Sequence, residues 1–173
     1  FMSDLHGESD AFTHILGNAS GVIKEKVDRV LAGEMSDAER AEFATLIYYP
    51  REKMAQILEH TANKEDWYKI TLYRLIEVSK RSGSKYTRSK VRKALPPEFA
   101  YAIDELLHVD YNDDNKKLYY NEIIHSIIDN GIADKFIIAL CHLIQNLTID
   151  NLHIIGDIYD RGPRADIIMN ELM

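Results

Sequence analysis

Cysteine is almost absent from this 173-residue sequence: Cys141 stands alone, so no internal disulfide can form. Set in a strongly apolar segment, that thiol reads as a small buried hydrophobe, and such cysteine usage fits a reducing, cytoplasmic setting. Long apolar runs are missing too. No stretch approaches the ~20 residues that span a bilayer, so no membrane-crossing helix is expected. The opening residues, Phe1-Met2-Ser3-Asp4-Leu5-His6-Gly7, have neither the basic start nor the apolar core of a signal peptide. Positive charge is in deficit, with 21 Lys and Arg against 28 Asp and Glu. The net charge of -7 argues against general nucleic-acid binding. Internal repeats and low-complexity tracts are also absent. What remains, 46% hydrophobic and 28% charged, suffices for one domain with a real core or two small ones.

The ends of the chain share a plan. Phe1-Met2 reads as the end of a buried strand, followed by the Asp4–Gly7 loop and a helix with Ala11, Phe12, Ile15 and Leu16 inward and a stop at Gly17. Near the other end, Leu152, Ile154 and Ile155 form a short apolar run ending at Gly156, which reads as a second buried strand. The loop from Asp157 to Gly162 follows, and Pro163 suits the first position of a closing helix with Ile167, Ile168 and Leu172 on its apolar face. That helix stops at Asn170-Glu171-Leu172-Met173 without a capping glycine, so both ends read as cut.

Between these units the pattern is helical. Ser36 with Glu39 predicts a capping box before Phe43, Leu46 and Ile47; Pro50 opens a helix with Met54, Ile57 and Leu58 inward. Asn63 caps a stripe of Tyr68, Leu72, Leu75 and Ile76 that runs to Gly83, and Pro96-Pro97 starts a helix through Ala100, Ile103, Leu106 and Leu107. A polar turn over Asp110 to Asn115 separates this from two apolar helices, one carrying Tyr119, Ile123, Ile127 and Ile128, the other Phe136, Ile137, Leu140, Leu143 and Ile144. The expected fold is α/β and predominantly helical: strand-loop-helix units at 1–23 and 148–173, with a helical insertion at 24–147. Paired in parallel, the strands would make the insertion an enlarged crossover.

Two motifs carry chemistry. In Asp4-Leu5-His6-Gly7, strand alternation would send Asp4 and His6 to one side, where a carboxylate and an imidazole can share a metal. Alone this tetrapeptide is a weak signal and reads more readily as a surface turn. Gly156-Asp157-Ile158-Tyr159-Asp160-Arg161-Gly162 is more specific, since three charges directly after an apolar strand need strong partners. A carboxylate such as Asp157 can bridge two cations, and the Arg161 fork suits phosphate oxygens.

Together these motifs resemble the calcineurin-like metallophosphoesterases, in particular the Gly-Asp-x-x-Asp-Arg-Gly block of the phosphoprotein-phosphatase type. The 153 positions between Asp4 and Asp157, with Gly21-Val22-Ile23, Ile47-Tyr48-Tyr49-Pro50-Arg51-Glu52-Lys53 and the run from Gly156 through Pro163-Arg164-Ala165-Asp166, resemble class III fructose-1,6-bisphosphatases of Firmicutes. The resemblance covers the whole chain as an internal portion of a longer family member. It implies that Asp4 and His6 bind a first metal and that Asp157 bridges a pair of Mn2+ ions. It also implies that Arg161 holds phosphate and that Asp160 orients a neighbouring catalytic group. The implied reaction is hydrolysis of a sugar bisphosphate by metal-activated water in gluconeogenesis. The family's Gly-Asn-His-Asp/Glu block does not occur in these residues, and His14, His60, His108, His125, His142 and His153 match no ligand position. The two-metal site is therefore expected to be incomplete here, and this segment alone inactive.

Lys80 to Lys93 carries +7 with no acid, against -14 for the rest. An anion or acidic-partner surface competes there with a solvated helix and its linker, and Tyr86 alone is a poor stacking platform for nucleic acid. A protein serine/threonine phosphatase, or a non-enzymatic helical module that associates into homo-oligomers, remain the competing functions.

Overall fold

The computed structural model describes residues 2–109, 114–158 and 161–173. Ten helices and two short strands lie in these residues. β1 (Met2–Ser3) leads into α1 (Ser9–Asn18), and after a single 3-10 turn come α2 (Val22–Leu31), α3 (Asp37–Tyr48), α4 (Pro50–His60) and α5 (Lys64–Gly83). Then follow α6 (Arg88–Ala94), α7 (Ala100–His108), α8 (Asp114–Asp129), α9 (Ala133–Thr148), β2 (Ile154–Ile155) and α10 (Ala165–Leu172). Among the described residues no helix is long and apolar enough to cross a membrane.

Local chemistry accounts for several boundaries. The Ser36 amide donates to Glu39 Oε2 at 2.8 Å and the Glu39 amide to Ser36 Oγ at 3.4 Å, so the capping box forms as expected. Pro50 is the first residue of α4, where its missing N–H costs no helical bond. Asn63 Oδ1 accepts the Asp66 amide at 3.2 Å and starts α5. Thr87 caps α6 in the same way through the Lys90 amide, at 3.4 Å.

The long helices α5 and α9 pack on each other and collect the other helices of the insertion around them. Leu72, Leu75 and Ile76 meet Phe136, Ile137, Leu140 and Ile144 in one dry cluster that extends from Ile23 to Leu147. Cys141 belongs to it, and burial pushes its thiol pKa upward. Gln145 closes the end of α3, its Nε2 donating to the Ile47 carbonyl at 2.7 Å and to that of Tyr48 at 3.4 Å.

A second, smaller cluster gathers Leu5, Phe12 and Ile168, with Met2, Leu16, Leu152, Ile154 and Ile158 against it. Here α1 and α10 pack together beside a parallel pair in which Met2 lies opposite Ile154 and Ser3 opposite Ile155. The chain is thus α/β and mostly helical, and the helical body is the connection between two parallel strands.

Some expectations are corrected. Gly17 does not stop α1; the helix runs to Asn18 and reverses at Ala19, a left-handed residue whose amide reaches back to the Ile15 and Leu16 carbonyls. α2, with Ile23, Val27 and Leu31 buried at i, i+4 and i+8, was not resolved as a separate helix in the sequence pattern. Pro163 does not open α10, which begins at Ala165 after Arg164. The second strand is not buried on both sides, because Ile155 is 62% exposed. Asp110–Asp113, most of the expected polar turn, lie outside the described residues, and Asn115 is already within α8.

Candidate metal centre

The two motifs leave the carboxyl ends of the parallel strands, where open α/β sheets characteristically present ligand sites. Strand geometry stops at Ser3, so Asp4 and His6 are loop residues rather than alternating strand positions. Their φ angles are +51° and +47°, with Leu5 buried between them. Pairing nonetheless continues past the strands. The Asp4 amide donates to the Ile155 carbonyl at 3.2 Å, the His6 amide to Asp157 at 3.0 Å and the Gly7 amide to Ile158 at 2.8 Å. From the other side, the Arg164 amide donates to the Gly7 carbonyl at 3.1 Å. Residues 151 positions apart in sequence are laced together along both motifs.

Two glycines permit this approach. Gly156 has φ +112°, and a Cβ there would overlap Asp4 Oδ1 and lie 3.0 Å from the Asp4 amide nitrogen. A Cβ on Gly162 would overlap the His6 carbonyl oxygen and lie 2.8 Å from Gly7 Cα. Side chains at either position would wedge the loops apart.

The structure therefore brings the backbones of Asp4, His6 and Asp157 together. The Asp4 and Asp157 side chains are exposed and His6 is half-buried. Arg161 is exposed, with φ +70°, next to the Gly162 that touches His6 and Gly7. Asp160 lies outside the described residues, as do Tyr159 and Phe1. Two carboxylates and an imidazole are a donor set suited to Mn2+ or Zn2+. The bare Gly156 is where the Asp4 carboxylate lodges, so donor chemistry and backbone both fit a cation. Among the described residues, however, no three His, Cys, Asp or Glu side chains are gathered as a ready metal cage.

Arg164 and Asp166 received no role from the sequence, although their spacing after Arg161 was the available signal. Arg164 Nε donates to Asp166 Oδ1 at 2.9 Å and Nη2 to Oδ2 at 2.8 Å. This bidentate pair raises the arginine pKa and holds the carboxyl below its usual range.

The basic segment is mostly tied down. Lys85 Nζ donates to Asp150 Oδ2 at 2.6 Å, the Tyr86 hydroxyl donates to the other carboxylate oxygen, and Lys90 Nζ lies 4.0 Å from the Tyr86 ring centre. Arg88 donates to Asp104 at 3.1 Å. The contacts to Asp150 brace the stretch that feeds β2. A cavity of about 390 Å³ beside that stretch is lined by Met2, Leu152 and His153, at the amino ends of the strands and away from the motifs.

The model of the family described as Firmicute fructose-1,6-bisphosphatase matches residues 1–173. A class 3 fructose-1,6-bisphosphatase of Clostridium acetobutylicum is 58% identical over 172 residues, covering 99% of this chain and 26% of that protein. The counterpart from Clostridium novyi is 57% identical over 173 residues, 100% of this chain and 26% of its own length. That of Parabacteroides distasonis is 55% identical over 172 residues, again 99% and 26%. The chain thus spans about a quarter of the length of the curated relatives it matches. No solved structure matches it.

Proposed function

The chain belongs to the Firmicute fructose-1,6-bisphosphatase family, and on that premise we propose that the whole protein hydrolyses fructose 1,6-bisphosphate to fructose 6-phosphate and phosphate. The observation that carries this is the family match along all 173 residues. The hydrogen-bonded union of the two motif loops supports assigning the chemistry to them.

In this reading Asp4 and His6 would hold a first Mn2+ ion and Asp157 would serve both ions of a pair. When bound, such a pair lowers the pKa of the attacking water and stabilises both the attacking and leaving oxygens. Arg161 takes phosphate oxygens with its planar fork, orienting the scissile group. Asp160 orients a neighbouring catalytic group. The lacing of the two loops limits how far Asp4 can drift from Asp157, the preorganisation that a two-site clamp requires. Because Gly-Asn-His followed by an acid is absent from this segment, the remaining ligands come from elsewhere in the whole protein.

The finer architecture belongs to the same proposal: a metallophosphoesterase sheet of which β1 and β2 are two strands, with Ile155 on a face that further elements cover. So does a cytoplasmic, gluconeogenic role, with self-association of whole subunits. A protein-phosphatase activity shares the motif chemistry, but no observation favours it.

The test is phosphate release by the whole protein, stripped of metal and then reloaded with Mn2+, from fructose 1,6-bisphosphate and from a phosphoserine peptide. Metal-dependent release from the sugar supports the reading. Release from the peptide alone, or release from the sugar with no metal requirement, contradicts it.

A further inference from the structure

A bisphosphate presents two anionic groups, and a site with one phosphate-binding arginine answers only one of them. We propose that Arg164 binds the second phosphate, the one that is not hydrolysed, and so sets the preference for a bisphosphate over a monophosphate. This rests on the bisphosphatase reading above.

Fixed positive charge is very scarce in the two segments that carry these motifs. Residues 1–21 contain no Lys or Arg, and residues 149–173 contain only Arg161 and Arg164. With Arg161 assigned to the scissile phosphate, Arg164 is the one permanent cation left in the two end units. It is also anchored at the right place. Its amide donates to the Gly7 carbonyl at 3.1 Å, so its backbone is fastened to the loop that carries Asp4 and His6. The two arginines are three positions apart in the chain, which keeps their Cα atoms within about 11 Å.

The side chain is prepared for a ligand. Asp166 engages Nε and Nη2 in a bidentate pair, leaving both N–H groups of Nη1 and one of Nη2 to donate elsewhere. The Arg164 side chain is 55% exposed, so an anion can reach it. Exposed pairs of this kind contribute little to stability, which is a weak reason for so well-formed a pair. Orienting an otherwise flexible arginine whose backbone is fastened to the Asp4–Gly7 loop is a stronger one, because less side-chain entropy is then lost on binding.

The experiment uses the whole, Mn2+-loaded protein and compares fructose 1,6-bisphosphate with fructose 1-phosphate. Arg164→Gln is expected to lower the ratio of kcat/KM between the two substrates roughly ten- to hundredfold, the range for losing hydrogen bonds to a charged group. The loss should fall mainly on KM for the bisphosphate. Arg164→Lys keeps the charge without the fork and should recover part of the ratio; Asp166→Asn should give a smaller loss of the same kind. A ratio unchanged in Arg164→Gln, with the wild type active on the bisphosphate, overturns the assignment of Arg164 alone. A wild type that does not hydrolyse the bisphosphate overturns the functional reading, and this inference with it.

Discussion

Replacing Gly156 by Ala isolates the contact on which the proposed metal centre depends. At φ +112° an L-residue is strained, costing about 1–3 kcal/mol. The added Cβ would overlap Asp4 Oδ1 and press on the Asp4 amide nitrogen at 3.0 Å. Relief requires the Asp4 carboxylate to swing away and the loops to part, losing the Asp4 to Ile155 hydrogen bond of 3.2 Å, worth about 1 kcal/mol. The total, about 2–4 kcal/mol, corresponds to a roughly 30- to 1000-fold rise in local opening. Gly156 lies outside the helical cluster, so the effect should be local. Amide hydrogen exchange should accelerate by that factor at Asp4, His6 and Gly7 while amides in α5 and α9 keep their protection, and Mn2+ should bind more weakly. Gly33→Ala is the control: nothing lies within 4 Å of its Cβ position, and no change in exchange at the motif loops is expected. Unchanged exchange and metal affinity in Gly156→Ala would refute the idea that bare backbone at this point lets the loops close.

Leu75→Ala, at a fully buried position of α5, should cost about 2–5 kcal/mol in denaturant unfolding followed by helical circular dichroism. Gln145→Ala strands two carbonyls at the end of α3 and should cost about 1–3 kcal/mol in the same assay. At acid pH, hydrogen bonds from Lys24 and Arg40 hold Asp28 below its usual pKa, and those from Lys85 and Tyr86 do the same for Asp150. Their contribution is present above the unfolded carboxylate value, roughly 4, and is lost as pH falls through the lower folded values. The Asp28→Asn, Asp150→Asn double variant should therefore show a shallower acid limb in a stability–pH profile. At the alkaline end, burial and its bond to Asp134 push Tyr68 up to about 12. That contribution is present below the unfolded value, roughly 10, and disappears as pH rises to about 12, so Tyr68→Phe should flatten this limb.

Features set by neighbouring residues could be read from sequence. The Ser36–Glu39 box, Pro50 and the Asn63 cap satisfy helix ends with groups a few positions away, and the stripes of α5 and α9 repeat at the helical period. What escaped depends on distant partners. Pro163 suits a helix start by its own chemistry, but the Arg164 amide is spent on the Gly7 carbonyl, Arg164 takes φ -136° and α10 begins at Ala165, two residues later. Gly17 offered a stop, yet α1 continued to Asn18 and Ala19 made the reversal, which merged α2 into the pattern around it. At the site, the residue types and their order were legible from the two motifs. The lacing of loops 151 residues apart, and the short strands that leave Asp4 and His6 on a turn, were not, because each depends on pairing between residues distant in sequence.

The most direct test of the metal centre is a calorimetric titration of Mn2+ into the metal-free whole protein, wild type beside Asp157→Asn, with both shown to melt alike. The account predicts that the wild type binds a pair of ions and that Asp157→Asn loses the tighter binding together with bisphosphate hydrolysis. Equal Mn2+ binding by the two proteins would contradict it and move the metal site away from these loops.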